Sequence, residues 1–167
     1  MNIFYLDPNP KIAAQMLCNA HCANGKMATE LAQMFSNLYT LKRLEASDCP
    51  RTATGNIRKH SYPHHPCTKW VMNSLENFQW ALDHALYICE ERRYRTGKEL
   101  NGTYEFLKWV KDTANELKFA NISFTTPALA MPEQYFNNNP VIAYRNYYRN
   151  EKKHLLKYTK RKIPDWI

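Results

Sequence analysis

Apolar residues in this chain recur three and four positions apart over long stretches, separated by clusters of turn formers. The clearest run is Val71, Leu75, Phe78, Leu82, Ala85 and Cys89, one side chain per turn on a single helical face. Pro66 opens this stretch and Gly97 closes it, as expected when proline occupies a first helical turn and glycine the left-handed position after the last. The pattern predicts a central core helix from Pro66 to about Gly97, with its far end, Glu90-Glu91-Arg92-Arg93, solvated.

The remaining elements follow from the same signals. Residues 1–7 read as a short extended start, and Asp7-Pro8-Asn9-Pro10 as a turn into a helix that runs to about Cys22. Asn24-Gly25 interrupts. A second helix is predicted from about Lys26 to Glu45, with Met27, Leu31, Met34 or Phe35, and Leu38 on its apolar face and Glu30 at the edge of that face. Residues 46–65 have no period and many turn formers, which predicts a long loop carrying Arg51, Arg58, Lys59 and His60. A further helix starts near Thr103 as its cap and ends near Leu117. Thr126-Pro127 and Met131-Pro132 make 119–134 extended, and Asn139-Pro140 caps a last helix over about 140–158, ending before Ile163.

With few glycines and 44% hydrophobic residues over 167 positions, these elements predict an all-α, single-domain helical bundle with a long basic loop and an extended segment before the last helix. Five cysteines, an odd number, and an N-terminus interrupted at once by Asp7 point to a cytoplasmic protein with reduced thiols. No apolar run is long enough to span a bilayer, so no membrane partner is expected.

Charge is unevenly distributed. Residues 140–167 hold Arg145, Arg149, Lys152, Lys153, Lys157, Lys160, Arg161 and Lys162 against only Glu151 and Asp165, which accounts for six of the formal +8. Tyr144, Tyr147, Tyr148, Tyr158 and Trp166 lie among these cations, a combination suited to stacking on bases while meeting phosphates. Residues 40–70 carry a further +4, offset by −2 over residues 71–138, so these two basic segments hold all of the excess. If the fold brings the loop around Arg58 beside the last helix, one basic cleft results. The competing reading is a solvated basic face with the tyrosines as packing.

A Gly-rich phosphate loop, a G-x-S-x-G elbow and an H-E-x-x-H helix are all missing. Cys18-x-x-His21-Cys22 and His64-His65-Pro66-Cys67 hold enough ligands for zinc, but neither has Cys-x-x-Cys spacing, so no metal is assigned. Glu30 is the single residue best placed for chemistry. A carboxylate at the edge of an apolar face is partly desolvated, which favours proton transfer, unless it simply pairs with Lys26 one turn earlier.

The start Met1-Asn2-Ile3-Phe4-Tyr5-Leu6, the helix with Thr29-Glu30-Leu31 and the block Tyr62-x-x-His65-Pro66-x-x-x-Trp70 occur in an order that resembles the pyrimidine-dimer DNA glycosylase (endonuclease V) family. Ile88-Cys89-Glu90-Glu91 with Gly97, and Tyr144-Arg145-Asn146-Tyr147-Tyr148, extend the resemblance over most of the chain, towards the family's phage and bacterial relatives. The resemblance implies an all-helical DNA-binding fold that needs neither metal nor organic cofactor. It also implies an N-terminal α-amine that attacks C1′ of a damaged nucleoside to form an imine, a glutamate that assists, and β-elimination that cuts the strand. Glu30 matches that glutamate; the amine is that of Met1, or of Asn2 if Met1 is removed, which the size of Asn2 disfavours. α-Amines titrate near about 7.7–8.0, roughly 2.5 units below lysine, so a usable fraction is unprotonated at neutral pH.

In the family's well-studied member arginines flank the glutamate, whereas Thr29 precedes Glu30 here and Gln33 follows, so recognition of the lesion by those arginines is not implied. His21 is a further candidate catalytic group, although the Asn24-Gly25 break separates it from Glu30 and leaves capping or packing as its other role. Candidate DNA contacts are Lys26, Arg58, Lys59, His65, Lys69, Tyr144, Arg145, Tyr147, Tyr148, Arg149, Lys152 and Lys153. The expected function is a DNA glycosylase/AP lyase, as a monomer acting on double-stranded DNA with a damaged or modified base. The alternatives are a non-catalytic DNA-binding protein of the same fold and an interaction or inhibitor domain that docks an acidic partner.

Overall fold

A computed structural model of the chain describes residues 1–37, 52, 54–56, 58–59 and 61–167. Among them are six α-helices and, in place of strands, one isolated bridge: α1 (Pro10–Met16), α2 (Lys26–Phe35), α3 (Pro66–Asn73), α4 (Leu75–Thr96), α5 (Asn101–Asp112) and α6 (Pro140–Glu151). The fold is all-α, as the periodicity predicted, and residues 119–134 are extended apart from a 3-10 turn that begins at Glu133. Leu38, the continuation of the second helix to Glu45, Arg51, His60 and most of the 46–65 loop lie outside the described residues.

The centre is α4, which packs against α1, α2, α3 and α5. Phe78, Leu82, Ala85 and Cys89 are buried on it, and Val71 reaches the same core from α3, while Leu75 is half-buried. The single helix expected from Pro66 to Gly97 is therefore two. Ser74 is extended (φ −145°, ψ 160°), and its hydroxyl accepts the Asn77 N–H to cap α4. The Leu75 and Glu76 N–H groups donate to the carbonyls of Asn121 and Ile122, which relieves the first turn of α4 of its orphan donors. At the other end Gly97 takes the left-handed conformation (φ 71°) and returns its N–H to Arg93.

The end of α4 departs from expectation. Glu90 and Arg93 are exposed, but Glu91 and Arg95 are buried. Arg95 donates Nε to Glu91, Nη1 to the Leu17 carbonyl and Nη2 to the Gln15 carbonyl, all within 2.8 Å. Arg161 grips both Glu91 oxygens at 2.8 and 2.9 Å. Burial would raise the Glu91 carboxyl, but the hydrogen bonds from Arg161 and Arg95 outweigh it and hold the group below its ordinary range.

This network also explains why α1 stops at Met16 instead of reaching Cys22. The carbonyls that end the helix are satisfied by Arg95. Beyond them the Cys18 N–H goes to the Tyr148 hydroxyl and the Asn19 N–H to the Lys157 carbonyl, so tertiary partners replace the next helical turn. Gly25 then turns the chain with φ 73°, where a β-carbon would fall 2.6 Å from Leu100 Cδ1.

Two further boundaries move. The fifth helix begins at Asn101, with Thr103 buried in its first turn rather than capping it, and gives way after Asp112 to a 3-10 turn, Ala114–Glu116. The last helix is capped by Asn139, whose side chain accepts from Val141 and Ile142, but ends at Glu151 rather than near 158. After the turn Lys153–Leu155 the chain folds back over α1, with the Tyr158 hydroxyl on the Met16 carbonyl at 3.0 Å and Thr159 Oγ1 accepting from Asn19 Nδ2 at 2.8 Å.

Exchange of Glu91 for Gln leaves the buried Arg95 guanidinium without its counter-charge, which for a broken buried pair costs about 3 kcal/mol or more. The expected thermal melt of Glu91→Gln lies on the order of 10 °C below the parent for a chain of this size. Arg161→Ala, whose side chain is 32% exposed, is expected to lower it by clearly less.

Candidate active site at the chain start

Residues 2–6 are buried, an unusual fate for a chain end. Asn2 fixes the segment from both sides. Its Oδ1 accepts the N–H groups of Ile3 and Phe4 at 2.8 and 2.9 Å, and its Nδ2 donates to the Ala130 carbonyl at 2.8 Å. Phe4 sits at φ 41°, a strained value for a residue with a β-carbon. Its ring is boxed by His21 (centroids 4.7 Å apart), Tyr148 (5.0 Å, edge-on) and Tyr147 (6.2 Å, stacked). From α6, Arg145 donates to the Leu6 carbonyl at 2.8 Å and pairs with Asp7 at 3.3 Å.

This seating brings the Met1 α-amine 3.7 Å from Glu30 Oε2, and the Asn2 backbone N–H to the same oxygen at 3.1 Å. Glu30, at the edge of the buried face of α2, keeps 18% of its side chain exposed, and the Met1 side chain is 4% exposed. The first turn of α3 closes over this corner: Thr68 Oγ1 lies 3.7 Å from Met1 Sδ, and His65, the N-cap, accepts the Cys67 N–H on Nδ1 at 3.1 Å. Burial, and then the nearby amine, lower the His65 pKa, with Glu30 acting in the opposite direction. Cys67, on the same turn, is no rival nucleophile, because burial pushes its thiol up to about 11. An amine beside a partly exposed carboxylate is the arrangement that a nucleophile and its proton acceptor would need.

The other candidate residues divide sharply. His21 stands apart from the amine pair: it is buried, and Nδ1 lies 2.7 Å from the Tyr148 hydroxyl and 3.4 Å from Cys18 Sγ. It packs the core, the alternative role considered for it. Tyr144 and Tyr148 have no exposed face and cannot stack on a base as expected; their hydroxyls serve the Ala128 carbonyl and the Cys18 N–H. Tyr147, half-buried beneath Lys152 Nζ at 5.0 Å from its ring centroid, is the remaining candidate platform on α6.

Arg58 donates to the Gly102 carbonyl at 2.9 Å and covers the Phe106 ring, so it belongs to α5 and not to a cleft shared with α6. Arg145 is committed to Leu6 and Asp7, and Arg149 to the Trp166 carbonyl and Asn146. Lys26, Lys59, Lys69 and Lys153 are exposed. Lys26 and Lys152 are the two cations that act on His21, whose ring packs on Phe4 of the chain start.

The partner of the Asn2 side chain, the Ala130 carbonyl, and that of Met1 Sδ, Thr68, were not visible in the sequence; the only sign was an Asn at position 2, a side chain able to lock its own backbone. Among the described residues no three His, Cys, Asp or Glu side chains gather as a metal site, and no helix is long and apolar enough to cross a membrane. No family model, curated protein or solved structure matches the chain.

Burial sets a pH dependence. His21 is lowered to about 4 by burial and by Lys26 and Lys152, and His84, wholly buried on α4 with Nδ1–H on the Pro10 carbonyl, to about 4 by burial. Both are neutral in the folded chain while the unfolded chain takes up protons below about 6.5. Their contribution is present above that pH and is lost as pH falls towards 4, by up to roughly 1.4 kcal/mol per unit for each. Urea unfolding between pH 7 and 5 is expected to show this slope, and His84→Gln to reduce it.

Among the tyrosines, Tyr148→Phe is expected to lower the melting temperature by leaving the buried Cys18 N–H without its acceptor, at a cost of about 1–3 kcal/mol. Tyr147→Ala is expected to shift it less. Calorimetry of the two variants compares them directly.

Proposed function

We propose that this protein is a DNA glycosylase/AP lyase of the pyrimidine-dimer glycosylase type, acting on a damaged or modified base in double-stranded DNA. The observation that carries this reading is the 3.7 Å approach of the Met1 α-amine to Glu30, together with the Asn2 nitrogen 3.1 Å from the same oxygen. Either nitrogen, as the terminal amine, would stand beside the carboxylate, so the reading does not depend on the fate of Met1.

In this reading the unprotonated amine attacks C1′, and the base departs with the electron pair of its glycosidic bond. Glu30 takes the proton from the attacking nitrogen, and the sugar opens to an imine. Loss of a C2′ proton then expels the 3′ phosphate. The target nucleotide must leave the stack to reach an amine seated this deeply. Lys26, Lys69, Lys152 and Lys153 supply phosphate contacts, and Tyr147 offers a face for a base. Nothing at Thr29 or Gln33 substitutes for arginines beside the glutamate, so the lesion is selected by other groups.

The test is borohydride trapping on duplexes that contain an abasic site or a pyrimidine dimer. The parent is expected to form a covalent adduct and to cut the strand. Glu30→Gln is expected to cut at least ~100-fold more slowly with DNA affinity little changed. With about four lysines on phosphates, log K is expected to fall with log salt at a slope near −3 to −4. Salt-sensitive binding without an adduct would reject catalysis and leave the DNA-binding alternative.

A further inference from the structure

We propose that His65 is a further catalytic residue, a neutral imidazole whose Nε2–H donates a hydrogen bond to the ring oxygen O4′ of the attacked deoxyribose as the sugar opens. The proposal rests on the glycosylase/lyase reading above.

The tautomer follows from the fold. His65 is the N-cap of α3, and its Nδ1 accepts the Cys67 N–H at 3.1 Å. A ring nitrogen that accepts carries no proton, so the neutral ring bears its proton on Nε2. The charge state follows from the surroundings. Burial and the Met1 amine both disfavour the imidazolium, Glu30 opposes them more weakly, and the ring is neutral at pH 7. Protonation of Nδ1 would also turn away the backbone N–H it caps. Pro66, immediately after it, fixes the entry to the helix and with it the direction of the ring.

Its position is set by the same turn. Thr68, three residues on, touches Met1 Sδ, and the charges of both the amine and Glu30 reach the His65 ring. The amine and a carboxylate whose Oε2 already receives the Asn2 N–H stand together, and the turn capped by the neutral donor His65 packs on Met1 through Thr68.

The reaction requires such a donor. After the amine has displaced the base and passed a proton to Glu30, the nitrogen lone pair forms the C=N bond, and the C1′–O4′ bond breaks with its electron pair on O4′. The carboxylate cannot stabilise that charge until it returns the proton, which then ends on O4′ as the C4′ hydroxyl. A neutral imidazole N–H lowers the energy of the developing oxyanion without surrendering its own proton, the role open to an uncharged histidine. Atoms and charge balance: the products are the iminium, the hydroxyl, the restored carboxylate and the departed base.

The experiment compares two duplexes in borohydride, one with a closed-ring abasic deoxyribose and one with an open-chain aldehyde at the same position, which needs no ring opening. His65→Asn keeps a cap acceptor in Oδ1 but has no donor at the reach of Nε2. The expected result is a fall of about 100-fold in trapping of the closed ring, the usual cost of one donor to a developing oxyanion, with the open-chain aldehyde trapped at the parent's rate. The deciding quantity is the ratio of the two rates in one sample, which is unaffected by partial loss of folded protein. His65→Gln, whose amide N–H reaches about as far as the imidazole Nε2, is expected to give a smaller change in ratio than His65→Asn. A ratio equal to the parent's in His65→Asn overturns the role of His65. No adduct from the parent with either duplex overturns the glycosylase/lyase reading itself, and this proposal with it.

Discussion

Everything at the candidate site depends on the burial of residues 2–6. A free chain end has many conformations, and ordering each residue costs about 1–2 kcal/mol of entropy. Here the cost is offset during folding. Asn2 binds the backbone on both sides of itself, Arg145 holds the Leu6 carbonyl, and the Phe4 ring fills a box of His21, Tyr147 and Tyr148. The amine thus stands beside Glu30 before any ligand arrives, and a reaction there would not have to order it again. The strained φ of Phe4 fits this picture, because the surrounding contacts over-determine that residue.

The sequence was most legible where a local rule decides the structure. Asn9-Pro10, His65-Pro66 and Asn139-Pro140 all open helices with the side chain of the first residue as cap, and Gly25 and Gly97 both take the left-handed conformation their positions suggested. Glu30 at the edge of an apolar face was equally readable from period alone. What could not be read were boundaries set by partners remote in sequence. Asn121 and Ile122 split the central helix at Ser74, and Arg95, Tyr148 and Lys157 end α1 early. No window of the sequence holds both halves of such a contact.

Charge was the least legible property, and the reason is chemical. Each of the seven described arginines, Arg58, Arg92, Arg93, Arg95, Arg145, Arg149 and Arg161, donates to a carbonyl or a carboxylate of the protein itself. The lysines stay largely at the surface. A guanidinium presents five donors in a planar fork and serves several carbonyls at once, whereas an ammonium is a compact, strongly hydrated charge. The basic C-terminal segment is therefore part architecture, through Arg145 and Arg161, and part open surface, through lysines. A count of positive charges treats the two alike, and so overstated the basic face.

The seat of the amine is divided between the two ends of synthesis. Its floor includes Ala130, Tyr147, Tyr148 and Arg145, which leave the ribosome some 130 residues after Met1. At translation rates of about 5–20 residues per second, the first six residues wait on the order of ten seconds for the surface that buries them. During that interval the α-amine of a nascent chain has no fixed neighbour. A chain cut short before α6 would lack Tyr147 and Tyr148, two of the three walls around Phe4, so completion of the box reports that translation has passed beyond the last helix.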